Sequence, residues 1–333
     1  MRCPRHPMRV TRTMAFLLGG LLLALPVAGA RADLLYVLNS ASPDIQVLDP
    51  ATREEVRRIP ALREPHHLVL SPARDVILIG DSGANEIIFV DPRTGEVRKR
   101  ERIANPYNLD FSPDGKLLVV TGLRRDQVDF YAWDGSSLTL LGRAKPGDMP
   151  SHIAFTPDSR TVYISLQGSR AVAAIDVATR NVLWTADVGR EPAGLIWQNG
   201  KVLVGIMGSD HVAVLDPATR RVERRITVGR GAHALFRPSR EGPIYVTSRV
   251  DSRITVLDPV SFDVVRRYDV PGGPDCLTFD REGRVWATLR WVRQIARLDP
   301  ATGEVTTMGV GRSPHGILLQ GRDGWSAPAA RSL

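Results

Sequence analysis

Cysteine is nearly absent. The chain of 333 residues carries two, Cys3 and Cys276, and only Cys276 remains once the N-terminal segment is set aside. A lone thiol makes no internal disulfide, so stability has to come from burial. The pattern Cys-x-x-Cys-His is also missing, which excludes covalently attached haem. No Gly-x-Ser-x-Gly elbow, phosphate-binding loop or dinucleotide glycine fingerprint in a strand-to-helix setting occurs, which removes the usual sequence grounds for a serine hydrolase or a nucleotide enzyme. Long apolar runs are lacking too: residues 15–27 are short for a membrane span. No amphipathic stretch of helical period demands a helix.

What is present at the N-terminus is an export signal. Arg2, Arg5, Arg9 and Arg12 precede the apolar run, and Ala28-Gly29-Ala30 or Ala30-Arg31-Ala32 fits a small-x-small cleavage site. Residues 1–32 therefore read as a secretory signal peptide, and the protein is expected to be periplasmic or secreted, with no membrane span after cleavage. A retained N-terminal anchor is the competing reading. No cysteine follows the run, so a lipoprotein anchor is not indicated. Five arginines leave with this segment and no acid does, so the formal charge of +8 becomes +3. The pI near 10.0 thus reflects export rather than nucleic-acid binding. A hydrophobic fraction of 43% with 24% charged residues is that of a folded chain.

The remainder is a repeat array. Aligned on the Asp that ends a strand and opens a turn, the units fall at Asp49, Asp91, Trp133 (a substituted position), Asp176, Asp216, Asp258 and Asp299, at intervals of 42, 42, 43, 40, 42 and 41 residues. A period near 40–45 with several short strands per unit is that of a four-stranded propeller blade. Segments such as Leu35-Tyr36-Val37-Leu38 and Ile244-Tyr245-Val246-Thr247 are β-branched and aromatic and are bounded by turn residues, which argues against a helical solenoid of similar period.

Each unit reads as strands A to D. Strand A follows an opening Pro, as in Pro65-His66-His67-Leu68, Pro106-Tyr107-Asn108-Leu109, Pro150-Ser151-His152-Ile153, Pro192-Ala193-Gly194-Leu195 and Pro274-Asp275-Cys276-Leu277. The opening recurs at Pro314-His315-Gly316-Ile317, where the repeat breaks off, while residues 33–62 hold only the later part of a unit. The two ends are therefore halves of one blade. The expected fold is all-β: a seven-bladed β-propeller over residues 33–320, its four-stranded antiparallel blades closed by Ile317, Leu318 and Leu319 pairing with the N-terminal strands of blade 1. Closure of this kind removes exposed sheet edges. Residues 321–333, rich in Gly, Ser, Pro and Ala, read as a disordered tail.

Leu35-Tyr36-Val37-Leu38-Asn39 and Tyr245-Val246-Thr247-Ser248, with Ser112-Pro113-Asp114-Gly115 and Asp299-Pro300-Ala301-Thr302-Gly303, resemble the YVTN/YncE-like β-propeller repeats over essentially the whole exported chain. The wider superfamily resemblance extends to the haem-binding propeller of dissimilatory nitrite reductase. Blade 7 is similar to streptogramin-lyase and gluconolactonase-like repeats. A lactonase-like divalent site would require Glu, Asn and Asp at the blade starts; Asn108 and Asp275 fit and the other positions do not, so a hard oxygen-ligand site is not expected. Fold alone does not supply function.

In a propeller the D-to-A and B-to-C connections surround one mouth of the axial channel. His66, His67, His152, His233 and His315 all fall at blade starts. One reading is a metal or noncovalent haem site at the mouth, with His152, His233 and His315 as metal ligands and Cys276 as a soft companion. The other is an ordinary blade-start histidine whose ring bonds a neighbouring blade's backbone. Two features weigh on the first. His66 and His67 are adjacent and are expected on opposite sides of the strand. The register of His233 is left open, because blade 6 is one residue short before Pro238.

Arg190, Arg230 and Arg312 share one register in Val-Gly-Arg loops, an arc of planar donors suited to carboxylate or phosphate, or a solvated rim paired with local acids. The family resemblance brings single-stranded DNA into view. Stacking there would need aromatics beside the basic groups, and Tyr107 and Trp291 are the candidates on this face, so nucleic acid is not the expected partner. The candidate ligand-binding set is His66, His67, Tyr107, Asn108, His152, Arg190, Arg230, His233, Asp275, Arg312 and His315. The expected function is that of a monomeric, noncatalytic binding or scaffold protein for an anionic small molecule or a periplasmic protein partner. The alternative is a metal- or haem-dependent redox or lyase enzyme at the same mouth.

Overall fold

Alternating aliphatic runs punctuated by tight turns build seven four-stranded antiparallel sheets in the computed structural model, which describes Met1 and residues 33–321. The expected signal peptide, Met1 aside, and the tail beyond Gly321 lie outside the described residues. Six blades form in chain order, over residues 65–102, 108–144, 150–187, 192–227, 232–269 and 274–309. The remaining blade joins Leu34–Asn39, Asp44–Leu48 and Glu55–Pro60 to the C-terminal strand Pro314–Gln320. Among the described residues the helical content is one three-residue turn, Leu123–Arg125, and no described helix is long and apolar enough to cross a membrane.

Turn chemistry explains the period. Asp49 Oδ1 accepts the backbone N–H groups of Ala51 and Thr52 at 2.8 and 3.1 Å, and Asp91, Asp216, Asp258 and Asp299 repeat the arrangement. A short side chain that mimics a backbone turn fixes the C-to-D hairpin without help from the core. In the third blade the acid is Asp134, which accepts from Ser136 and Ser137, so the repeat is displaced by one residue there and Trp133 is not a substituted turn residue.

Packing runs between blades. Leu35, Val37 and Leu48 of the first blade meet Ile317 and Leu319 of the closing strand and Cys276, Trp286 and Ile295 of the last blade in one buried cluster. Trp133 lies against Phe111 and Phe89, and Tyr163 lies between Trp184 and a nearly parallel Trp197 ring 5.7 Å away, as expected for tryptophans wedged between sheets. The closing strand pairs Leu35 with Leu319, Tyr36 with Leu318 and Val37 with Ile317. Just before it, Gly311 N donates to Gln46 Oε1 at 2.7 Å. The backbone there approaches Asn39 so closely that a Cβ would stand 2.5 Å from its side chain, so only glycine fits.

The start of each strand A carries the feature that matters most for the site. In six of the seven blades the pairing of strands A and B slips by one residue just after the opening position, a β-bulge that re-aims the side chains on either side of it. The bulge frees one N–H, and a hydroxyl on strand B takes it up. Thr247 Oγ1 accepts Ala234 N at 3.2 Å and donates to Asp275 O of the next blade at 3.0 Å. Thr288 does the same between Cys276 N and His315 O, and Thr121, in the blade whose pairing shows no slip, links Asn108 N and Ser151 O in the same way. Ser165 accepts His152 N at 2.9 Å. Thr247 and Thr288 therefore both satisfy the bulge and staple neighbouring blades.

Two outcomes follow from this architecture. A chain ending at Gly309 lacks the closing strand and is expected to be insoluble or to lose its cooperative melting transition; soluble, cooperatively melting protein would refute closure by this strand. Thr247→Val keeps the side-chain shape but leaves Ala234 N and Asp275 O without their buried partner, and denaturant titration is expected to show a loss of about 1–3 kcal/mol.

Candidate functional site

Each blade contributes its strand A to the wall of an axial cavity of about 140 Å³, which His67, Asn108, His152, Gly194, Ala234, Cys276 and Gly316 line from the strand starts. The register of His233 is clear in the structure. Ala232 pairs with Ser248 as Pro192 pairs with Ile206 and Pro274 with Leu289, so Ala232 stands where other blades have proline. His233 accordingly shares its position with His66, Tyr107, Ser151, Ala193, Asp275 and His315.

These residues form a continuous layer at the channel mouth. Asp275 is its centre: the Oδ2 oxygen lies 2.6 Å from His315 Nδ1, and Oδ1 lies 2.8 Å from His233 Nδ1. The His233 contact is out of line for a good hydrogen bond, leaving that nitrogen without a well-directed partner. Arg249 grips Oδ1 through Nη2 at 2.5 Å and Nε at 2.9 Å, and Arg290 Nη1 reaches Oδ2 at 3.2 Å. Beyond His315 the ring continues to His66, with centroids 3.9 Å apart, and on to Tyr107 at 4.3 Å. His67 and His152, one residue further along their strands, close the layer from beneath: His67 is 5.1 Å from His152, which is 5.4 Å from His233.

His66 and His67 therefore do not point to opposite sides. Their rings are 4.7 Å apart and both touch His315, because the bulge between Pro65 and His67 abolishes the simple alternation of a strand. Nor do the rings bond a neighbouring blade's backbone. Threonines occupy the carbonyls of Asp275 and His315, while the imidazoles contact one another, Asp275 and Ser151, whose Oγ is 2.7 Å from His152 Nδ1.

Burial sets the charge state. Asp275 and His315 are fully buried, and His233, His66 and His152 are 1%, 4% and 7% exposed; His67 is partly exposed, into the cavity it lines. Desolvation pushes His66, His67, His152 and His315 well below the usual imidazole range, and His233 to about 4. Burial alone would raise the Asp275 carboxyl, but Arg249, His315 and His233 outweigh it and hold it well below the usual carboxylate range. The Cys276 thiol, 4.0 Å from His315 Nδ1, is pushed well up by burial and by Asp275. The site is thus a set of neutral imidazoles around an ionised carboxylate that two guanidiniums share.

Of the residues anticipated from sequence, His66, His67, Tyr107, His152, His233, Asp275 and His315 are brought together, with Asn108 on the cavity wall. Arg190, Arg230 and Arg312 are exposed on the rim instead: Arg190 donates to Gly208 O and Arg230 to Asp251. Arg249 and Arg290, just after the strands Ile244–Ser248 and Val285–Leu289, are the guanidiniums that do reach the site, and nothing in the sequence analysis set them apart from other loop arginines. The signal that singles them out is register: each directly follows a strand B, and their two blades carry and precede Asp275. His211 bonds within its own loop, to Ser209 and Asp210.

A tetrapyrrole does not fit the described residues. His67 and His152 face the cavity, but at about 140 Å³ it is well under the roughly 300–1,000 Å³ of small-molecule sites. A metal ion is compatible, since His66, His67 and His315 each offer a ligand atom within 4.8 Å of the others, and Asp275, Cys276 and His315 form a second such group.

The model of the YNCE-like beta-propeller family matches residues 19–322. The protein YncE of Salmonella typhimurium is 22% identical over 256 residues, covering 71% of this chain and 72% of that protein. Among solved structures, the chain is similar to the dihydro-heme d1 dehydrogenase NirN in complex with DHE, with a TM-score of 0.64 and 15% identity over 85% of this chain and 74% of that one. It is also similar to virginiamycin B lyase from Staphylococcus aureus, with a TM-score of 0.62 and 12% identity over 78% of this chain and 92% of that one. At these identities the structural likeness shows the fold alone.

The depressed imidazoles make stability pH-dependent. An unfolded histidine titrates near 6.5, so below that pH the unfolded chain binds more protons than the folded one. Stability is then lost as pH falls, by up to about 1.4 kcal/mol per pH unit for each imidazole still neutral in the fold. Denaturant titrations of metal-free protein are expected to show a marked loss between pH 7 and pH 5, and His233→Gln a shallower one. Equal slopes for the two proteins would contradict this charge assignment.

Proposed function

This chain belongs to the YNCE-like β-propeller family, and we propose that it is an exported, noncatalytic binding protein that takes an anionic ligand at the imidazole and guanidinium mouth of its channel. The observation that carries this reading is a charge imbalance. Arg249 and Arg290, with side chains 16% and 24% exposed, share the single buried carboxylate of Asp275, and the surrounding imidazoles are neutral. One largely desolvated guanidinium charge is left without a counter-charge, a costly arrangement in a protein interior that a carboxylate or phosphate oxygen at the mouth would offset.

The rim supports the same reading. Exposed Arg190, Arg230 and Arg312 raise the local concentration of anions. Trp291, 56% exposed, and Val292 and Val250, about half exposed, belong to the loops that carry Arg290 and Arg249 and offer apolar contact to the body of a ligand or to a partner protein bearing the acidic group. Export rests on the basic and apolar segment at residues 1–32.

Oxalate and inorganic phosphate, titrated separately by calorimetry into chelator-treated protein at low salt, test the reading. Saturable binding of at least one is expected at one site per chain. Arg290→Gln is expected to weaken it at least tenfold, since a hydrogen bond to a charged group contributes about 1.5–3 kcal/mol. Arg312→Gln should act less and mainly through salt dependence. Absence of binding by both anions would overturn the proposal.

A further inference from the structure

The histidines hold a pattern that anion binding leaves unused. His315 Nδ1 lies 2.6 Å from the carboxylate of Asp275. An ionised carboxylate can only accept, so this nitrogen carries the proton and the Nε2 atom of the neutral ring presents a lone pair. That lone pair faces His67 Nε2 at 3.2 Å. His66 supplies the third nitrogen: its Nδ1 is buried with no hydrogen-bond partner, in a ring 3.9 Å from that of His315 and 4.7 Å from that of His67.

We propose that His66, His67 and His315 bind one late first-row transition-metal ion, Zn²⁺ or a close relative, with Asp275 orienting His315 from behind and the fourth position open toward the channel. Three observations converge on this assignment. First, the three ligand atoms all lie within 4.8 Å of one another. A tetrahedral ion about 2.0–2.1 Å from each nitrogen sets its ligands roughly 3.3 Å apart; the His67–His315 pair is already there, and the ligand atom of His66 lies within 4.8 Å of both. Second, a carboxylate behind a ligating imidazole is the arrangement that fixes tautomer and raises ligand basicity in metal sites. Third, coordination gives the stranded Nδ1 of His66 the partner it lacks.

The other candidate group, Asp275, Cys276 and His315, competes poorly. A metal there would have to take His315 through Nδ1 and so break its bond to Asp275. Imidazole sets favour zinc, copper and nickel over magnesium or calcium, which excludes the hard cations. The inference rests on the reading of the mouth as a ligand site and sharpens it: three protein ligands leave room for an anion on the metal, whose charge would offset part of the positive charge of the ion and the unshared guanidinium.

Zinc chloride titrated into the chelator-treated full chain tests it. One ion per chain is expected, with affinity lowered at least a hundredfold by His315→Gln and by His66→Gln, and about 10–100-fold by Asp275→Asn. His66→Gln removes no hydrogen bond made by the ring nitrogens, so its circular dichroism and melting should stay close to those of the parent, which keeps the test valid if Asp275→Asn fails to fold. Cys276→Ser should retain zinc, and cobalt substitution should give visible bands without a thiolate charge-transfer band. Failure to bind zinc, retention of zinc by His66→Gln, or its loss in a folded Cys276→Ser would each overturn the assignment. Oxalate or phosphate binding to the metal-free protein reads out the anion site independently, so zinc can fail while that site stands, and the reverse.

Discussion

The extra residue at the start of six of the seven inner strands is the constraint on which both ring and site depend. A regular strand would send alternate side chains to the axis, and the mouth would be lined by one residue per blade. The bulge disturbs that alternation, so that both His66 and His67 reach the same layer and both touch His315. It has a cost, an N–H without its ladder partner, and the fold meets it with a side chain from the adjacent strand. Because Thr247 and Thr288 pass the interaction on to the carbonyls of Asp275 and His315 in the following blade, the element that permits the site also fixes the backbone of its two central residues. The threonine of the Tyr-Val-Thr signature at 245–247 is in this sense a positioning residue for the mouth layer.

Asymmetry follows from what each blade places in the ring. His233, Asp275, His315, His66 and Tyr107 occupy successive blades and touch edge to edge, whereas the next two blades carry Ser151 and Ala193, with Gly194 below. A pseudo-symmetric frame thus holds a one-sided arc of polar groups, and the small residues opposite leave room that His152 and His67 fill from the layer beneath. A Cβ at Gly194 or Gly205 would collide with the neighbouring backbone around His233, so the small side of the ring is set by how closely the blades approach.

Much of this was legible in the sequence because it is local. Asp-Pro-x-Thr turns, alternating strands and a period near 42 residues each act within one unit, and the half-units at the two ends leave closure by Pro314–Gln320 as the consistent arrangement. Concentration of five histidines at blade starts was equally readable, since register alone brings them to one end of the channel. What escaped is what depends on geometry between units. The bulge reversed the expectation for His66 and His67. The proline position of blade 6, filled by Ala232, concealed the register of His233. The guanidiniums that matter were hidden among other loop arginines, because only the fold shows that Arg249 and Arg290 flank the one acid of the ring, while Arg190, Arg230 and Arg312 stay at the rim.

Energetics sharpen the contrast between site and scaffold. Elsewhere the channel wall and the blade interfaces are mostly apolar, as in the cluster of Leu34, Tyr36, Leu38 and Ile79, and burial there stabilises the ring by about 25 cal/mol for each Å² of apolar surface removed from water. The mouth layer departs from that rule. Its imidazoles are desolvated, three of their nitrogens lack a well-directed partner, and a carboxylate is enclosed with more positive charge than it can neutralise. A hydrophobic layer of similar volume would satisfy the same backbone at lower cost, and the neighbouring positions Ala193, Gly194 and Ala234 show that the frame accepts apolar residues at these registers. Local rules obeyed throughout a fold and broken in one place mark the place where something other than folding sets the residues. Here the breach is densest in one layer, it is built from groups that bind anions and metals, and it lies at the channel mouth.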